Sequence, residues 1–158
     1  MPNYSMDEDP GFWQAPERYR TPFEKSPQMG VRCSYFALGD ANDDNTPVAV
    51  VLQMEPGFVI TQHAHPCERV EVVVRGTLTA DGRVYRPGDV LTARPNEFYG
   101  PKTAGKEGCT TMEIFSNASG ATYRVTKDES GKVTRTNLVE AFGTAFAHQL
   151  QKKAGTNP

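Results

Sequence analysis

No run of apolar residues approaches the roughly 20 that a bilayer-crossing helix needs, and charge of neither sign is in excess. Lys and Arg number 17 against 19 Asp and Glu, a formal net charge of −2. The first absence leaves no helical membrane span. The second leaves no electrostatic footprint for nucleic acid. Cysteine is scarce too: Cys33, Cys67 and Cys109 are odd in number and far apart, which argues against a disulfide framework and for a reducing cytoplasm. Met1 to Asp9 lacks a basic stretch followed by an apolar core, so no secretory signal is expected. Histidine occurs only 3 times, and two of these, His63 and His65, stand two apart.

What is present organises around that pair. At 158 residues the chain suits one domain that buries roughly 70% of the surface its unfolded form exposes. Residues 1–30 carry Pro2, Pro10, Pro16, Pro22 and Pro27, which break helices and central strands. They read as an irregular arm whose Phe12, Trp13, Tyr19 and Phe23 pack on the domain or across a subunit boundary, the first ten residues being open to terminal disorder. Residues 31–136 read as the domain proper. Strands are expected at 31–38, at 47–54 (the most continuously apolar, hence buried on both faces), at 58–62 leading into the histidines, and at 69–75, 83–85, 90–93 and 109–115. A last hairpin pairs 121–126 with 132–136. Beyond Gly76, Thr77 to Ala80 leads to Asp81-Gly82, a tight-turn dipeptide of the hairpin type from which 83–85 returns, Asn96 tolerates the left-handed conformation, and 100–108 is a glycine-bearing loop. In 137–158, Leu138, Phe142, Phe146 and Leu150 recur at helical spacing behind an Asn137–Glu140 capping box. One C-terminal helix is expected there, with His148 an ordinary helix residue. Many short strands with regular turns and a single helix argue an all-β sandwich or barrel.

His63 and His65 close an apolar run, and the side-chain period of a strand sends both imidazoles to one face. Two imidazoles aimed into one space can hold a transition metal. The segment from Gly57 through His63-Ala64-His65 to Gly76, and then Arg86-Pro87-Gly88-Asp89-Val90 followed by Arg94-Pro95-Asn96-Glu97-Phe98-Tyr99-Gly100, resemble the two motifs of cupins. The resemblance covers about residues 47–116. It implies a cupin-type jelly-roll β-barrel, often paired into a homodimer, with a metal held inside by two His, one Glu and a third His. It does not fix the reaction, because one fold hosts many chemistries.

Matched residue by residue, His63 and His65 take the two histidine places. The glutamate place falls on Arg69 and the last histidine place on Tyr99, while Arg94 and Asn96 replace the second motif's usual Pro and Gly. Strand parity then points Arg69 and Glu71 inward with the histidines. Glu71 is the candidate carboxylate of a two-His, one-carboxylate set that suits iron first, with zinc, nickel or manganese as alternatives, or no metal at all. Tyr99 is a fourth ligand, an acid beside the metal, or a packed barrel-mouth ring. Glu68 needs a bulge to reach the site, and Cys67 offers a thiolate or, more commonly, a small buried side chain. Glu113 faces either the interior or, the commoner case, solvent. Arg69 opposes a nearby divalent cation; it pairs with Glu71 or Glu68, binds an anionic substrate group, or lies at the surface.

Three readings follow. The first is a metal-dependent enzyme of oxygenase, lyase or isomerase type, acting on a small, anionic organic molecule through His63, His65 and Glu71, with Tyr99 and Arg69 as catalytic residues. The second is metal-free acid–base chemistry with His63 or His65 as base and Tyr99 as acid, as in the deoxysugar epimerases of the resembled family. The third is a non-catalytic small-molecule binder.

Overall fold

Nine β-strands alternate with tight turns in the computed structural model, which describes residues 5–13 and 30–138. In chain order they are β1 (Val31–Ala37), β2 (Val48–Met54), β3 (Val59–Ile60), β4 (Arg69–Ala80), β5 (Arg83–Tyr85), β6 (Val90–Ala93), β7 (Lys102–Phe115), β8 (Tyr123–Lys127) and β9 (Val133–Asn137), with one short helix, α1 (Ala118–Thr122), before β8. All pairings are antiparallel, and the seven strands β1–β7 form one sheet.

Two long strands make that sheet close on itself. The first part of β4 and the last part of β7 pair with each other and continue outward to β6 on one side and to β2 and β1 on the other. The end of β4 and the start of β7 pair again, flanked by β5 and β3. Register shifts between Val73 and Arg75 and between Gly76 and Leu78 mark the bend. Gly76 (φ +72°) and Gly108 (φ +78°) serve it: a Cβ on Gly76 would lie 2.1 Å from the Gly108 carbonyl oxygen, and one on Gly108 2.5 Å from that of Met54. No other residue fits either position. The two layers enclose an apolar core that includes Val31, Cys33, Tyr35, Leu52, Met54, Val73, Leu78, Ala104, Cys109 and Phe115.

The turns follow their local chemistry. Asp81 (φ +49°) and Gly82 (φ +76°) join β4 to β5, and Asn96 is left-handed at φ +62°. Several boundaries differ from the sequence-based expectation. The strand placed at 69–75 runs on to Ala80, and the one placed at 109–115 starts at Lys102, so the glycine-bearing stretch is strand rather than loop. Each gains its ladder from a partner remote in sequence, which local propensity does not register. The strand placed at 58–62 shrinks to Val59–Ile60, and α1 forms just before the last hairpin under an Asn117 side-chain cap.

In the arm, Pro10–Phe12 makes a 3₁₀ turn capped by Asp9. Phe12 is buried beside Phe36, its carbonyl accepts from the Ser34 hydroxyl, and the Arg32 guanidinium lies 4.4 Å from the Trp13 ring centroid. This part of the arm packs on β1. Tyr19, Phe23, the helix expected over 137–158 beyond Leu138, and His148 lie outside the described residues. Among the described residues no helix is long and apolar enough to cross a membrane.

Candidate functional site

Inside the barrel β4 is patterned the wrong way round for a water-soluble surface. Arg69 and Glu71 point in, at 2% and 0% exposure, while Val70 and Val74 point out at 37% and 46%. On the neighbouring strand Glu113 is also inward, and the β4–β7 register sets it directly opposite Glu71. Two like charges facing each other across a ladder are destabilising by themselves. Two cations resolve the conflict. Lys102, from the far part of β7, crosses the interior and places its Nζ 2.9 and 3.1 Å from the Glu71 oxygens and 2.8 Å from Glu113 Oε1. Arg69 Nη2 donates to Glu71 Oε2 and, at 2.8 Å, to Glu113 Oε1. Burial raises the Glu113 carboxyl pKa, but Lys102 and Arg69 outweigh it and hold the group well below its ordinary range. Burial likewise works against the Arg69 charge, and Glu113 and Glu71 outweigh it, so the guanidinium stays charged.

Beside this cluster lies a layer of rings. The chain from His63 to His65 is stitched on both sides: His63 exchanges backbone hydrogen bonds with Tyr99 (3.2 and 3.0 Å), Ala64 does so with Val125 (2.9 and 2.8 Å), and the Asn96 N–H donates to the His65 carbonyl at 2.7 Å. Both imidazoles are buried, at 5% and 6% exposure, with ring centroids 5.3 Å apart. Their tautomers follow from their partners. His63 Nδ1 lies 2.8 Å from the Thr61 carbonyl, which can only accept, so Nδ1 carries the proton. His63 Nε2 is therefore the acceptor for the Tyr99 hydroxyl, at 3.0 Å. His65 Nδ1 donates in the same way to the Gly120 carbonyl at 3.1 Å, leaving its Nε2 a lone pair with no hydrogen-bond donor among the described residues. Burial first, then the Lys102 charge, lowers the His63 pKa to about 3. Burial lowers that of His65 to about 4 against the pull of Glu113. Burial raises the Tyr99 hydroxyl pKa well above its ordinary value, Arg69 opposing it. The Arg69 guanidinium lies 4.3 Å from the Tyr99 ring centroid and Lys102 Nζ 5.5 Å, both within cation–π range.

These residues do not fit a divalent metal. Among the described residues no three His, Cys, Asp or Glu side chains converge as ligands. The set expected from His63, His65 and Glu71 is not assembled, for a physical reason: the Glu71 carboxylate is bound by Lys102 and Arg69, two cations that repel a divalent ion. Tyr99 spends its hydroxyl on His63. Arg69 is turned to Glu71 and Glu113, with its Nε buried and unpartnered. Cys67 is buried against Gly120, where a Cβ would come within 2.3 Å of its sulfur, and burial raises the thiol pKa; it packs. Glu68 is exposed and accepts from Ser116 at 3.2 Å. Lys102 is the site residue that sequence reasoning missed. Its local context is glycine and loop-like, and only the facing of Glu71 and Glu113 shows the need for a buried ammonium.

A groove of about 420 Å³ lies elsewhere, bordered by Arg32, Gln53, Arg75 and Thr110, with none of its walls from His63, His65 or Tyr99. Its arginines are engaged, Arg32 with Gln53 and Arg75 with Asp7.

No family model matches the sequence, and no curated protein does. Solved structures do match. An RmlC-like cupin protein from Ralstonia eutropha JMP134 shares 16% identity and a TM-score of 0.54, over 82% of this chain and 79% of that one. An RmlC-like cupin from Shewanella frigidimarina NCIMB 400 shares 22% identity and a TM-score of 0.46, over 54% of this chain and 75% of that one. KdgF from a Halomonas species shares 23% identity and a TM-score of 0.45, over 55% and 78%. At these identities the likeness is one of fold, and the first of the three carries it.

Proposed function

We propose that this chain, which has the cupin fold, is a metal-independent acid–base protein that moves a proton on a small organic molecule, as isomerases, epimerases and cyclases do. The observation that carries this is the Tyr99–His63 hydrogen bond of 3.0 Å, given one direction by the Thr61 carbonyl on the other ring nitrogen. It leaves three rings with distinct roles. Tyr99 is the acid, its hydroxyl protonated at any physiological pH. His65 is the base, because its Nε2 lone pair is uncommitted and its conjugate acid is held at about 4, so it is neutral at pH 7. His63 is a positioning residue that holds the Tyr99 hydroxyl through Nε2 until a substrate oxygen takes its place as acceptor. The metal-dependent oxygenase or lyase reading gives way because both interior carboxylates are already neutralised by Lys102 and Arg69. Arg69 has no charge to spare for an anionic substrate.

Such a pair suits a carbon acid beside a carbonyl. His65 Nε2 takes the C–H proton, the electron pair moves onto the carbonyl oxygen, and the Tyr99 O–H turns from His63 Nε2 to that oxygen and stabilises the enolate or protonates it. Return of a proton to carbon completes the isomerisation. Within this reading the working unit is a homodimer, which sedimentation velocity checks. The three free, buried cysteines suit a reducing compartment.

The test is deuterium wash-in from D₂O, followed by proton NMR, into a panel of small 2-keto acids, hydroxyketones and keto-sugars, with a chelator present. Chelator-resistant exchange is expected into at least one panel member, falling by about 10²–10⁴-fold in Tyr99→Phe and in His65→Gln. Exchange that stops on chelation, or survives Tyr99→Phe unchanged, would refute the assignment.

A further inference from the structure

Glu71 and Glu113 stand opposite each other in a ladder, almost fully buried. By donor chemistry alone, two facing buried carboxylates invite a divalent cation. This barrel supplies the countercharge with side chains instead. We infer that the Lys102 ammonium and the Arg69 guanidinium are a tethered replacement for a divalent cation, and that Lys102 is the residue that keeps metal out of the barrel.

The charge count matches. One ammonium and one guanidinium supply the +2 of a divalent ion to the same two carboxylates. The contacts match as well. Lys102 Nζ spends its three donors on Glu71 Oε1 and Oε2 and on Glu113 Oε1, bridging both side chains as an ion would. Arg69 reinforces two of those oxygens. Three of the four carboxylate oxygens are thereby occupied. An entering cation would have to displace an ammonium that is 1% exposed and repels it. Lys102 can hold this position only because β7 is long. Its first residue lies in one layer, paired with Ile60 and Ala80, while Glu113 near its end lies in the other. One strand thus carries both a carboxylate and the cation that neutralises it.

The inference rests on the metal-free reading above but not on the proton transfer, so wash-in can fail while the metal titration succeeds. The experiment is calorimetric titration of the full chain with Mn²⁺, Ni²⁺ and Zn²⁺ in turn, beside Lys102→Met, Lys102→Arg and Glu71→Gln, with unfolding midpoints recorded with and without each ion. The native chain and the charge-conserving Lys102→Arg are expected to show no saturable binding and no metal-dependent shift in midpoint. Lys102→Met is expected to show saturable binding of one ion per chain, and an unfolding midpoint that rises with that ion. If Lys102→Met does not fold alone, recovery of soluble protein on refolding with one of the three ions supports the inference, and failure with all three opposes it. One equivalent of metal bound by the native chain and lost in Glu71→Gln would overturn it, as would a folded Lys102→Met with no gain.

Discussion

The barrel interior has two halves built on opposite principles. Around Met54, Val73, Leu78, Ala104 and Cys109 it is apolar. Around Arg69, Glu71, Lys102 and Glu113 it is ionic, with four charges almost removed from water. The apolar half stabilises in proportion to the area it buries, about 25 cal/mol per Å², and each side chain contributes nearly on its own. The ionic half gains little net energy, because desolvating four charges offsets most of their attraction. Its members depend on one another, and losing any one leaves an uncompensated charge in a dry site. The half that adds least to net stability is therefore the half where a single change does most harm.

That contrast can be broken experimentally. The largest effect is expected at the ionic half: Glu71→Gln keeps the shape but leaves Lys102 and Arg69 short of an anion, and should destabilise by about 3–5 kcal/mol in urea unfolding. A loss under about 1 kcal/mol would mean that water reaches the cluster. Next comes the apolar half. Leu78, fully buried, cut back in Leu78→Ala, should cost about 3 kcal/mol through lost transfer energy and a cavity.

The smallest effect concerns the histidines at the border of the ionic half. Their folded pKa values, about 3 for His63 and about 4 for His65, lie below the ordinary 6.5. Above pH 6.5 both are neutral whether folded or not, and stability is at its full value. As the pH falls the unfolded chain binds protons that the folded chain refuses. Stability should drop by about 2 kcal/mol for the pair between pH 6.5 and 5.5, and go on falling towards the folded values. Unfolding midpoints across that window, with His65→Gln expected to halve the slope, check this. A flat profile would show that the imidazoles are hydrated.

How much of this was legible in the sequence depends on the distance over which each feature is decided. Asp81-Gly82 and Asn96 set their own backbone and were readable from a few residues. The alternation of Arg69, Val70, Glu71 and Val72 was readable as a strand with charge on one face, and the inward facing of the histidines follows the same parity. The continuity of β4 through Gly76, the near end of β7, the inward turn of Glu113 and the reach of Lys102 were not readable. Each depends on a partner outside its own stretch of sequence, 11 residues away or more: Ala80 on Lys102, Glu71 on Glu113, and Lys102 on both carboxylates.

The sequence by itself thus determined a β-barrel with a His-x-His pair and charged residues on its inner face, because strand period and turn chemistry are local. Only the tertiary structure decided what those charges do. Whether a buried carboxylate meets a metal, a substrate or an ammonium depends on which side chain the fold brings within about 3 Å of it, and here the bend of β7 brings Lys102.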